Sequence, residues 1–296
     1  NWLNTKVPTR LTQAQFNADD RQAGGAQTTC TPGTYNAGCA NALLLNQSRV
    51  DRRTILGGMY ERQIDANTVL TTEADYDVKD IQQSFSQIGE NTNPNYKTYT
   101  DLRHDGRLGE MPLKSYVGFF TNQMDQKANS FQNLADGFGT KGTLLQNSRG
   151  SIFNIGGRFR EELEFVPTWI LAAGLGFEQS HVSVSATNYN NAGALASRAS
   201  AGLNYSNWAP EVSLTWKPAE AYRHWIRGST GYGIPQMSQL LRDPTTGLPG
   251  TNFDLKPQKN LNVEIGTESK LHKTLTVQLV GFMTFFKDEI ITQTIS

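Results

Sequence analysis

Along most of the chain, apolar and polar residues alternate one by one. Leu261, Val263 and Ile265 alternate with Asn262, Glu264, Gly266 and Glu268. Successive side chains of a strand point to opposite faces, so this run has one apolar and one polar face. After Leu271-His272-Lys273 the pattern resumes: Leu275, Val277, Leu279, Met283 and Phe285 alternate with Thr274, Thr276, Gln278 and Thr284, although Phe282 and Phe286 interrupt the polar set. Upstream, Trp208, Val212, Leu214 and Trp216 alternate with Glu211, Ser213 and Thr215. Phe153, Ile155, Phe159, Leu163 and Phe165 alternate with Asn154, Arg158, Arg160, Glu162 and Glu164. Trp169, Leu171, Ala173, Leu175 and Phe177 alternate with small or polar residues. Leu70, Thr72, Ala74, Tyr76 and Val78 alternate with Thr71, Glu73, Asp75, Asp77 and Lys79. After the run ending at Trp216 a second strand follows from Tyr222 to Tyr232, and the runs 97–108 and 111–126 share the length with a less regular pattern. The sequence therefore predicts about ten strands of roughly 11–19 residues, far longer than the ~5–6 of most soluble sheets.

The predicted connections alternate in length. Tight turns fall near 65, 109, 167, 218 and 272. Longer links, rich in Gly, Asn, Ser and Pro, fall at 84–96, 127–146, 187–206 and 233–256. Outer-membrane barrels show this asymmetry, with short turns on the periplasmic side and long loops outside. Aromatic residues cluster towards strand ends (Trp169, Phe177, Trp208, Trp216, Tyr222, Tyr232 and Phe285), as girdles at two membrane interfaces require. The predicted fold is all-β, an antiparallel transmembrane β-barrel. The competing reading is a large secreted β-sandwich or propeller; the propeller is disfavoured because no repeat of constant 40–50-residue period is visible.

Composition narrows the class further. Lys+Arg and Asp+Glu are 27 each, so no basic surplus exists to neutralise nucleic-acid phosphates. Charged residues make up 18%, below the ~25% of soluble domains. The most apolar stretch, Trp169 to Phe177, is too short for a spanning helix, which needs ~20 residues. The beginning, Asn1-Trp2-Leu3-Asn4, has no initiating Met and no leader, and the end from Ile290 to Ser296 is strand-like, so the sequence reads as truncated. Cys30 and Cys39 are the only cysteines and lie in a polar, Gly- and Pro-containing stretch. A local disulfide in an oxidising compartment, contributing roughly 2–3 kcal/mol, is expected over two unlinked thiols or a metal site, which needs further ligands nearby.

Three segments resemble TonB-dependent outer-membrane receptors near the ferric citrate receptor group. Residues 2–19 followed by Gln22-Ala-Gly24 look like an outer loop of that family. Trp225-Ile-Arg-Gly-Ser-Thr-Gly-Tyr-Gly-Ile-Pro-Gln-Met-Ser-Gln-Leu240 resembles a strand leading into its aromatic-Gly-x-x-Pro loop. Leu255-Lys-Pro-Gln-Lys-Asn-Leu-Asn-Val-Glu-Ile-Gly266 resembles its L-K-P-E-x-x-x-x-x-E-x-G element and is the most specific of the three. The resemblance covers most of the chain as barrel: 1–47 as an extracellular loop with the disulfide, 48–296 as the strands. It departs from the family in lacking a plug domain, an energy-coupling segment and the aromatic-ended closing strand. Family members are 22-stranded and plugged, so about half of a barrel is expected here. The resemblance implies uptake of a scarce ligand, most often a ferric siderophore or ferric citrate-like chelate, across the Gram-negative outer membrane. It implies outer-membrane lipid around the barrel, the TonB–ExbB–ExbD complex as a partner through the plug, no enzyme activity and no cofactor, iron entering only within the transported chelate. A passive porin or adhesin barrel is the alternative.

Candidate residues follow from position. Arginine presents a planar fork to carboxylates, so Arg10, Arg149, Arg198 and Arg242, in or beside the predicted outer loops, are candidates for an anionic chelate. Tyr35, Tyr189 and Tyr205 are candidate aromatic contacts. Glu73, Asp75, Arg158, Arg160, Glu162, Arg227 and Glu264 are expected in the lumen, paired with one another or with a plug. His104, His181, His224 and His272 are dispersed, and no metal site is expected. Five Met without a Met–His cluster argue against capture of bare copper. An enzyme in a barrel needs converging groups, for which Glu178, Ser180 and His181 are the best available set.

Overall fold

In a computed structural model, the described residues are 2–7, 13–21, 30–39, 41–241 and 251–291. They form one antiparallel sheet of eleven strands in sequence order. The strands are β1 (Trp2–Lys6), β2 (Ser48–Asp65), β3 (Thr68–Ser84), β4 (Gln87–Leu108), β5 (Met111–Asn133), β6 (Lys141–Val166), β7 (Trp169–Tyr189), β8 (Leu195–Ala219), β9 (Tyr222–Gly233), β10 (Gln258–His272) and β11 (Leu275–Lys287). Two short helices, α1 (Gln13–Ala18) and α2 (Met237–Leu240), lie in the connections. Each strand pairs only with its sequence neighbours, so β1 and β11 leave two open edges among the described residues.

Three predicted long links are corrected. β3 and β4 are joined by residues 85–86 alone, β5 and β6 by 134–140, and β7 and β8 by 190–194. Much of 84–96, 127–146 and 187–206 is therefore strand, and the expected strict alternation of short and long links fails at 85–86. These stretches are polar on at least one unexpected face, which erased the pattern, yet backbone pairing continues through them. The link at 234–257 is long as expected, and residues 1–47 contain β1 and α1 rather than loop alone.

The registers carry one parity across the whole sheet. Phe159 lies opposite Val117 and Leu175, and Leu175 opposite Pro210. Arg160 lies opposite Tyr116 and Gly174, and Gly174 opposite Glu211. Apolar and charged residues thus separate onto two faces of a single layer. Among the described residues no second layer covers the apolar face: Phe119 is 64% exposed and Trp208 60%. Aromatic pairs mark two levels of this face. Trp169 stacks on Trp216 at 5.7 Å next to the short turns, and Phe177 meets Trp208 at 4.6 Å further up. From Trp169 to Phe177 is roughly 27 Å along β7 at ~3.4 Å per residue, which a ~40° tilt shortens to about 20 Å, near the ~25 Å apolar band of membrane barrels.

Above the Phe177–Trp208 level the alternation inverts. Ser183 and Ser185 take the outward parity, whereas Ile152, Val182, Val184 and Leu203 carry apolar side chains on the otherwise polar face. The connection after β9 folds onto this strip. Met237 and Leu240 of α2 join Ile152, Val182, Val184 and Tyr205 in a buried cluster. Gly150 makes the approach possible, since a Cβ there would fall 1.8 Å from the Met237 sulfur. The Tyr205 hydroxyl donates to the Leu255 carbonyl at 3.2 Å and ties the far end of the connection to β8.

A second small core clamps the same end. Cys30 and Cys39 form a disulfide, and Cys39, Leu45 and Ala135 are packed together and buried. Asn133 is fully buried, and its amide donates to the Leu45 carbonyl, the Ser84 hydroxyl and the Phe85 carbonyl at 2.8–3.0 Å. Its Oδ1 accepts from the Ala135 N–H. One side chain therefore holds the disulfide loop, the β3–β4 turn and the β5–β6 turn together. Asn133→Leu strands these buried groups and is expected to cost about 2–4 kcal/mol locally, read as faster proteolysis within residues 30–47 and 134–140; unchanged cleavage rates would contradict this role. Hydrogen bonds from Thr140 and the Phe138 N–H hold the Asp136 carboxyl below the usual carboxylate range. A lowered folded-state pKa stabilises the turn above the ordinary range, and that support is lost as pH falls through the lowered value.

Candidate functional site

The charged residues of the polar face form a connected network at mid-depth. Glu211 on β8 is its centre. One of its oxygens accepts from the Arg160 guanidinium and the other from Arg227 at 2.6 Å. Arg160 also forks onto Glu162, with Nε and Nη2 at 3.0 and 2.9 Å from one carboxylate oxygen. Three strands, β6, β8 and β9, are thereby cross-linked through one carboxylate.

Next to this hub, Arg158 lies over the rings of Tyr99 and Tyr116, 4.7 Å from each centroid. It donates to the Tyr116 hydroxyl and sits 3.5 Å from Asp101. Gly118 is required here: a Cβ would fall 2.6 Å from an Asp101 oxygen and 3.1 Å from Arg158. Arg103, Lys114, Tyr116, Arg158, Arg160, Glu162 and Glu211 line a depression of about 480 Å³ whose cations outnumber its carboxylates. On β2 and β3 the balance reverses. Arg53 pairs with Asp77 and Lys79 with Asp51, while Glu73 and Asp75 form no ion pair among the described residues.

All seven expected lumen residues, Glu73, Asp75, Arg158, Arg160, Glu162, Arg227 and Glu264, share the polar face by register. Glu264 accepts from the Trp225 indole at 2.6 Å. The reading missed Glu211, Asp101, Tyr99 and Tyr116. The alternation placed Glu211 on the polar face, but its rank as hub depends on cross-strand register.

The loop candidates fare differently. Arg149 and Arg198 are on β6 and β8, not in loops, and their parity is that of Phe159 and Trp208, so their side chains face outward. Tyr189 is the last residue of β7. Tyr205 is buried in the cluster under α2 rather than available to a ligand. Tyr35 lies in the disulfide loop, where its hydroxyl accepts from Gln87 at 3.3 Å. Arg10 and Arg242 lie outside the described residues. Ser180 donates to Glu178 on the polar face, whereas His181 takes the outward parity and bonds Asn204 at 2.8 Å. Ser180 and His181 therefore form no relay. No group of three or more metal-binding side chains occurs among the described residues.

The network supplies fixed charge and hydrogen bonds. The sequence matches the family described as TonB dependent receptor-like, beta-barrel, over residues 3–296. The chain belongs to the TonB-dependent receptor family. This is a family of outer-membrane transporters and receptors, and no helix among the described residues is long and apolar enough to cross a membrane. Solved structures of TonB-dependent receptors share the fold. The ferric citrate transporter FecA in its unliganded form matches with a TM-score of 0.69 at 14% identity, covering 96% of this chain and 39% of FecA. The siderophore receptor PiuA from Acinetobacter baumannii matches with a TM-score of 0.68 at 13% identity, covering 95% of this chain and 46% of PiuA. The copper transporter OprC matches with a TM-score of 0.51 at 10% identity, covering 82% of this chain and 46% of OprC. The chain thus spans less than half the length of these receptors.

Proposed function

We propose that this chain is about half of the barrel of an outer-membrane receptor that takes up a ferric siderophore or ferric citrate-like chelate. The two-faced sheet carries this reading: a bare apolar face for lipid and a cross-linked, partly unpaired charged face for an enclosed polar interior. The turns at 66–67, 109–110, 167–168, 220–221 and 273–274 are assigned to the periplasmic side and the clamped ends, with the tight 85–86 turn among them, to the outside. FecA and PiuA, by their names, act on ferric citrate and on a siderophore. The basic depression around Arg158 and Arg160 suits an anionic cargo or the carboxylates of a plug, and the acidic wall at Glu73 and Asp75 suits plug cations. Coupling to TonB, with ExbB and ExbD, is proposed from membership of the TonB-dependent family.

Of the arginine candidates, Arg10 and Arg242 remain proposed for chelate capture at the outer surface. The test is accumulation of radioactive iron by cells expressing the full-length gene in a strain without its own ferric receptors. Uptake of ferric citrate or a siderophore chelate that disappears on deletion of TonB is the expected result; energy-independent diffusion would establish the passive channel instead. Removing one charge-assisted contact is worth about 1.5–3 kcal/mol, so Arg10→Ala or Arg242→Ala is expected to weaken chelate binding roughly tenfold or more. Unchanged affinity in both variants removes these residues.

A further inference from the structure

The apolar face has a depression that a smooth wall against lipid does not require. It lies over β7–β11, has a volume of about 760 Å³, and spans two neighbouring rows of the register just above the short turns. Trp169 and Trp216 form one wall and Leu279 the other. Gly281 leaves the space open: a Cβ there would only touch Ile265 at 3.7 Å. Two polar residues break the apolar lining. His224 meets Trp216 with tilted rings at 5.3 Å between centroids, and its Nδ1 bonds the Thr267 hydroxyl at 2.9 Å. Nε2 is left as the ring's second hydrogen-bonding atom. A polar pair is costly against hydrocarbon unless it meets a polar group at the interface.

Charge tells which group. The turn segments beneath the groove carry Lys217 and Lys273 against Glu220, while Arg223, Lys270 and Glu268 take the polar-face parity, Arg223 lying over the Trp225 ring. We propose that this groove is a binding site for one glycerophospholipid of the periplasmic leaflet. One acyl chain lies along Ile226, Ile265 and Gly281. The phosphate and glycerol esters sit level with His224 and Thr267, over the basic turns. A further strand paired to β11 lengthens the groove and does not cover it, because pairing is edge to edge. The inference rests on the apolar face meeting the membrane, but not on the identity of the cargo.

The test uses the full-length receptor purified from outer membranes in mild detergent, with bound lipid identified by native mass spectrometry. About one glycerophospholipid per wild-type protein is expected. Filling the groove with Gly281→Phe, or removing the polar pair with His224→Leu/Thr267→Val, is expected to lower retention about fivefold or more, the equivalent of one hydrogen bond or a few methylenes. Either variant suffices if the other does not fold, as judged by heat-modifiable gel mobility. Retention equal to wild type in a folded variant, no retained lipid in wild type, or retention of lipid A glycolipid alone overturns the site. Iron uptake by the same strains reads the proposed function separately: lipid counts that follow the expectation while wild-type uptake fails would sink the transport reading and leave the groove intact.

Discussion

Replacing Phe159 by arginine is expected to destabilise the barrel by about 2–4 kcal/mol when folding is measured in lipid vesicles, the cost of an arginine at the bilayer midplane of a β-barrel. Phe159 is half-exposed on the outward face of β6, midway between Phe153 and Phe165. Its immediate neighbours, Arg158 and Arg160, are arginines already, held by Asp101, Glu162 and Glu211 on the other face. Chain position is thus almost constant, and only the face changes. Ser229→Arg is the control. Ser229 lies opposite Glu211 in the register, on the polar face, where a new cation gains a partner. It is expected to change stability by less than about 1 kcal/mol, as water-accessible ion pairs do. If the apolar face met water, Phe159→Arg would be nearly neutral, since the position is exposed. Equal effects of the two variants would therefore refute the lipid-facing assignment, and with it the barrel.

The same contrast explains what the sequence reveals and what it conceals. From Phe153 to Phe165 and from Trp169 to Phe177 the two sides of the sheet meet different surroundings, so parity is written directly in residue type. Above Phe177 this rule no longer holds. Residues 181–186, His-Val-Ser-Val-Ser-Ala, still alternate, but their apolar members now face inward to receive Met237 and Leu240. A reader without the register sees Gly, Ser and Asn with small apolar residues and infers a loop. Tyr205 was misjudged for this reason, and Arg149 and Arg198 were counted as loop residues although they continue strands outward. The turn at 85–86 was hidden because residues 87–96, Gln-Ile-Gly-Glu-Asn-Thr-Asn-Pro-Asn-Tyr, are polar on both sides and include a proline. Backbone pairing with β3 and β5, which composition does not report, carries that strand. At the site, alternation placed Arg158, Arg160, Glu162 and Glu211 on the polar face, but not Asp101, Arg103 or Lys114, which lie in the less regular runs. It could not show which carboxylate stands between two arginines, because that depends on the stagger of β6, β8 and β9.

Glu211→Ala is expected to be the most damaging single change within the polar-face network, at about 1–3 kcal/mol, because it strips a partner from two guanidinium groups at once. The two losses differ. The Arg160 side chain is 33% exposed and keeps Glu162, while Arg227 is 45% exposed and has no second ion pair among the described residues. Solvent screens the outer pair more strongly, so its coupling is expected at the exposed end of the range, below about 1 kcal/mol. Double-mutant cycles separate the contributions. The Glu211–Arg160 coupling should exceed the Glu211–Arg227 coupling, and raising salt towards 1 M, where the Debye length is ~3 Å, should erase more of the second than of the first. Charge deletion on both sides provides the sign of the whole network. Glu211→Leu together with Arg160→Met leaves Arg227 and Glu162 alone, and it should cost less than the sum of the single changes because the one Glu211–Arg160 contact is counted in both of them. Strict additivity would mean that the three residues touch without sharing energy. The hub would then be a geometric coincidence of the stagger, and the cohesion between β6, β8 and β9 would reside in the backbone ladder alone.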